Sequence, residues 1–149
     1  MIEHIWTVAC SRAVIDERTK SLTLQDVIEQ VIIMDTPKPD GVLDISMNVT
    51  TLWARSDPAV PCQGRTRFAY CNPAGTPYVT AEMGINLSKS LHHRTIWNIH
   101  RLPVREGGRY TFRVESQNEG ETEWHQVAAI PLEIIFSPQP IEQPQGQSQ

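Results

Sequence analysis

Lysine is scarce in this chain, with three Lys against ten Arg in 149 residues. Arg suits bidentate and stacked recognition better than Lys does. An isoelectric point near 5.7, few lysines and no stacking aromatics interleaved with the arginines other than Trp124 argue against nucleic acid as a partner. Cysteine is equally sparse. Cys10, Cys62 and Cys71 are far apart and odd in number, a pattern that fits a reducing compartment and no disulfide framework. No CxxC, HExxH or HxH spacing gathers ligands, so no metal site is expected at His92, His93, His100, Cys62 or Cys71. No GxSxG elbow presents a nucleophile. Gly107-Gly108 sits between strand patterns, not before a helix, so it cradles no phosphate. Catalytic residues and cofactors are therefore not expected. The opening MIEHIWTVAC lacks a basic n-region, and no apolar run approaches bilayer length. Neither a signal peptide nor a membrane span is expected, and the cytoplasm is the default compartment.

What the chain does contain is alternation. Leu43, Ile45, Met47, Val49, Thr51 and Trp53 alternate with Asp44, Ser46, Asn48 and Thr50, the period of a half-buried strand. Similar patterns cover Ile5–Ile15, Arg65–Cys71, Tyr78–Leu87 and Arg94–Leu102. Polar or Pro/Gly-rich breaks fall at 16–21, 35–41, 56–64, 72–75 and 88–93. Leu22–Met34 is ambiguous. Leu24, Val27, Ile28, Val31 and Ile32 fit a helical stripe, but their β-branching favours a distorted strand. About eight strands with no secure helix predict an all-β antiparallel β-sandwich. The predicted domain is 1–136, followed by a disordered Pro/Gln-rich tail over 137–149.

Gly107–Phe136 reads as a hairpin. Tyr110, Phe112 and Val114 alternate with Arg109, Thr111, Arg113 and Glu115. A turn at Gln117–Gly120 would place residue 116 opposite 121. Arg113 would then face Trp124, and Thr111 would face Gln126, on the outer surface. Phe112 would meet His125, and Tyr110 would meet Val127, inside. A slip of one residue would instead bury Trp124. Glu119, Glu121 and Glu123 cluster at the tip, where solvation accounts for them.

Charge is unevenly distributed. Residues 1–63 hold five basic and nine acidic side chains, 64–113 hold eight and two, and 114–149 hold none and six. Either the strands neighbour one another and pair across the sheet, or Arg65, Arg67, Arg109 and Arg113 form a basic face for an acidic partner. With Trp124, these four arginines are the candidate binding residues.

The opening WTVACSRAVIDERTKSLTLQDVIEQ and the closing GRYTFRV and IPLEIIF resemble a family of small bacterial proteins of unknown function. Its members are thought to be immunoglobulin- or C2-like sandwiches. The resemblance spans most of residues 4–136 and implies a fold but no catalytic residue. The expected function is non-enzymatic binding of a protein partner, with self-association through an edge strand as a further route. The alternatives are a structural subunit of a phage-like or secretion-type particle, or an enzyme whose site is assembled from strand ends.

Overall fold

The computed structural model describes residues 1–138. Nine strands form two sheets: β1 (Ile2–Ile15), β2 (Leu22–Val27), β3 (Gln30–Ile33), β4 (Val42–Arg55), β5 (Cys62–Cys71), β6 (Pro77–Leu87), β7 (His92–Pro103), β8 (Gly108–Asn118) and β9 (His125–Phe136). One sheet has the order β2-β1-β4-β7 and the other β3-β9-β8-β5-β6. The β-sandwich expected from the alternation is therefore present. Among the described residues no helix is long and apolar enough to cross a membrane. The part of the predicted tail from 139 onward lies outside the described residues.

The count exceeds eight because Leu22–Met34 is two strands. β2 pairs antiparallel with β1, whereas β3 pairs parallel with β9 in the other sheet. The change of sheet falls between neighbouring residues. Ile28 N–H still donates to Ala9 O of β1, at 2.9 Å, while Glu29 O already accepts from Glu133 N of β9, at 3.0 Å. Just before this point Asp26 has a positive φ of 53°, a left-handed conformation that Asp tolerates better than most residues. Of the helix-like stripe, only Ile28 and Val31 pack against the core, while Val27 and Ile32 are exposed. The break expected at 56–64 is also shorter than its composition implied, since β5 begins at Cys62.

The interior is a column of aromatic rings. Trp97 of β7 stacks on Phe68 of β5, with centroids 5.5 Å apart, and Phe68 stacks on Phe112 of β8 at 5.6 Å. Tyr70 and Tyr110 continue the column at 5.4 Å. Trp97 Nε1 is buried with no hydrogen-bond partner among the described residues, whereas the other polar tips find the partner that burial demands. Tyr70 Oη donates to Pro103 O at 2.9 Å. Burial, with Tyr110 and Tyr78 nearby, raises the Tyr70 phenol well above its ordinary value. Trp53, fully buried on β4, donates from Nε1 to Thr95 Oγ1 at 3.0 Å. Tyr110 Oη donates to Glu106 O at 2.9 Å and accepts from the N–H groups of Arg105 and Glu106, both at 3.3 Å.

That last hydroxyl satisfies three backbone groups at the corner leading into β8. Tyr110→Phe keeps the ring stacking and removes all three bonds. Urea unfolding should show a loss of about 1–3 kcal/mol. A loss under about 0.5 kcal/mol would mean that water replaces the hydroxyl at no cost.

Candidate binding surface

Because Thr66, Phe68 and Tyr70 point inward on β5, Arg65 and Arg67 point outward. Because Tyr110, Phe112 and Val114 point inward on β8, Arg113 and Glu115 point outward. The two strands are adjacent, with Arg67 opposite Glu115, Arg65 opposite Gln117 and Ala69 opposite Arg113. On the other side of β5, Arg67 faces Glu82 and Arg65 faces Gly84 of β6.

This register makes the basic face largely self-neutralising. Arg67 Nε donates to Glu115 Oε2 at 2.7 Å, and Arg113 Nε lies 3.9 Å from the same oxygen. Arg113 Nε is buried and makes no hydrogen bond. Arg65 reaches Glu82 Oε2 at 3.4 Å and donates to Gln117 Oε1 at 2.5 Å. Arg109 lies further along β8, where its Nε contacts Glu133 Oε1 at 2.5 Å. Four arginines thus stand with three carboxylates, Glu82, Glu115 and Glu133. Of the two charge readings, strands pairing across the sheet describes this face.

Glu115 is the centre of the arrangement, with only 12% of its side chain exposed. The hydrogen bond from Arg67 holds its carboxyl below the ordinary value against the opposing effect of burial, and the charges of Arg67 and Arg113 act in the same direction. The same bond raises the Arg67 guanidinium. Glu115 was not among the residues picked from the sequence. Its spacing two residues from Arg113 on one strand face was the available signal.

The hairpin register differs from the expected one. Ser116 pairs with His125 rather than residue 121, Phe112 with Ile130, Thr111 with Pro131 and Tyr110 with Leu132. Arg113 lies opposite Ala129, not Trp124. Two features cause the shift. Gln117 and Asn118 extend β8 by pairing with Arg65 and Gly64, and a bulge falls between Val114 and Glu115. The loop over 119–124 then closes on Asn118. Its N–H donates to Glu121 Oε2 at 2.9 Å, and its Oδ1 accepts from Ile2 N at 2.7 Å. The Asn118 N–H and its Nδ2, which donates to the same oxygen at 3.2 Å, together lower the Glu121 carboxyl. Gly120, with φ of 85°, makes the reversal. Gly64 is needed for close approach, because a Cβ there would lie 2.3 Å from Gln117 O.

Released from the ladder, Trp124 folds back over β5. Its ring centroid lies 4.5 Å from Arg67 Cζ and 5.3 Å from Arg65 Cζ. The outer-face Arg–Trp contact is therefore present with different arginines from the one expected. Beside it runs an open groove of about 300 Å³ lined by Gln63, Arg65, Gln117 and Glu121. Arg109 does not join this cluster. With Arg113, Cys71 and Gln126 it borders a separate groove of about 300 Å³. Cys10, Cys62 and Cys71 are free thiols, and among the described residues no three His, Cys, Asp or Glu side chains converge on a common point.

A carboxyl whose folded pKa lies below its unfolded value adds stability above the unfolded value, about 4.3 for Glu. That contribution is lost as pH falls through the folded value. Stability should therefore decline on acidification below about pH 4.5. Glu115→Gln should flatten part of that decline and cost about 1–3 kcal/mol at neutral pH, by stranding Arg67 and Arg113. Urea midpoints across a pH series check both, and an unchanged slope would remove Glu115 as the cause. The chain matches no known family by comparison with family models, and no curated protein matches it.

Proposed function

We propose that this protein is an immunoglobulin-like binding module that recognises a protein partner and performs no chemistry of its own. The fold assignment is supported by strand order. β1, β4 and β7 follow one another as the A, B and E strands do, and β9, β8, β5 and β6 as G, F, C and C′ do. The Tyr110 hydroxyl bonded to the backbone at the entry to β8 matches the tyrosine corner of such domains. Two features depart from antibody domains: β5 carries Phe68 and Tyr70 in place of Trp, and no disulfide joins the sheets.

The observation that carries the binding reading is Trp124. It is a large aromatic on the outside of a sheet, its ring in contact with the guanidiniums of Arg65 and Arg67, and Arg65 also lines an open groove. Such a ring offers apolar area at low entropic cost, and Trp and Arg are enriched among residues that dominate interfaces. These two arginines already have carboxylate partners, so the surface offers stacking and hydrogen bonding more than free charge.

Reversing Arg65, Arg67 and Arg113 together would crowd carboxylates around Glu115 and endanger the fold, so Trp124→Ala is the better probe. It should leave the melting temperature within a few degrees, since the cation–π contacts contribute about 0.5–1 kcal/mol. Affinity capture from the source cell's lysate should yield a protein retained by wild type and depleted at least roughly tenfold by Trp124→Ala. Equal retention by the two would remove this surface as the recognition site.

A further inference from the structure

Among the described residues the sandwich has four free edges, and three are protected. β2 has 6 residues and ends at the positive-φ Asp26. β3 has 4 residues. β7 is long but carries Arg94 and Arg101, with His92, His93 and His100. β6 differs. It runs 11 residues, PYVTAEMGINL, with Glu82 as its single charge, no Lys, and Pro only at its first position. A long, regular, nearly uncharged edge is a template for another strand, and natural sandwiches normally blunt such edges.

We infer that β6 pairs antiparallel with β6 of a second copy, joining two five-stranded sheets across a two-fold axis at Met83. The strand's own sequence selects this register. Centring the pair on Glu82 would set Glu82 against itself. Centring it on Ala81 would draw in Pro77, which has no N–H to give. Centring it on Met83 pairs residues 79–87 with no like charges opposed. Inward, Val79, which is 41% exposed at the open seam between β6 and β7, meets Leu87 of the second copy, and Ala81 meets Ile85.

Outward, Glu82 meets Gly84 of the second copy. That position is bare: a Cβ on Gly84 would have nothing within 4 Å. Behind Gly84, on β5, stands Arg65. The missing side chain opens a path by which Glu82 of one copy approaches Arg65 of the other, and the two-fold repeats the pair. The association is isologous and closes at two copies. It shares Arg65 with the Trp124 contact, but its register rests on the β6 sequence and does not depend on the binding reading above.

Substitutions of opposite charge at Gly84 test this, because they act oppositely on monomer and dimer. Within one chain residue 84 faces Arg65, so Gly84→Glu should raise the melting temperature of dilute protein and Gly84→Lys should lower it. Across the proposed interface residue 84 faces Glu82, so Gly84→Glu should weaken association roughly five- to tenfold and Gly84→Lys should tighten it similarly. Light scattering on the full chain at roughly 100 µM and below should show wild type approaching twice 16.9 kDa. Circular dichroism confirms that both variants fold. Wild type remaining at 16.9 kDa throughout, or both variants shifting association in the same direction, would overturn the proposal.

Discussion

The stacked rings between the sheets set the register of what lies outside them. Phe68 and Tyr70 on β5 must lie alongside Phe112 and Tyr110 on β8 for the column to form. Tyr70 pairs with Phe112 and Phe68 with Val114, and a strand pair has one register at a time. The outer rungs follow without further choice: Arg67 opposite Glu115, Arg65 opposite Gln117, Ala69 opposite Arg113. Packing on one face thus positions ionic contacts on the other. A slip of one residue would expose the rings, a loss far larger than any surface ion pair could offset.

Much of this was legible in local patterns. The alternation of Leu43 to Trp53 and of Tyr110 to Val114 identified strands and their inward faces, because burial on one side of a sheet leaves a period of two in the sequence. Non-local partners were not legible. Gln117 and Asn118 have turn-forming character, yet they continue β8 because Arg65 and Gly64, more than fifty residues earlier, offer them a ladder. Trp124 was read as a strand residue for the same reason. The sequence leaves its face open, because a slip of one residue reverses it, and its arginine neighbours depend on β5 lying beside β8. The division of Leu22–Met34 between two sheets likewise depends on β9, a segment no local window contains.

The charge pattern shows the same limit in a different form. Along the chain basic and acidic stretches are separated, and a reading by segments makes residues 64–113 strongly positive. In the fold those stretches become neighbours. Glu115 and Glu133 lie among arginines of β5 and β8, and Glu82 faces Arg65 and Arg67 from β6. Segregation in sequence has become interleaving in space, which suits a sheet assembled from strands far apart in the chain. The remaining unusual surface feature is apolar and planar, the Trp124 ring beneath its two guanidiniums.

The change of sheet at Ile28–Glu29 also bears on the order in which the chain can complete itself. Among the described residues Gln30–Ile33 has no ladder partner other than β9, with Gln30 opposite Glu133 and Ile33 opposite Phe136. During synthesis β1, β2 and β4 can meet early, whereas β3 must wait for a partner on the order of a hundred residues later. Closing so long a loop costs only slightly more entropy than closing a shorter one, but it cannot precede the partner's emergence. Until then Val31 and Ile33, which pack against the finished core, remain uncovered. The vulnerable interval therefore runs from the emergence of β3 to the emergence of β9.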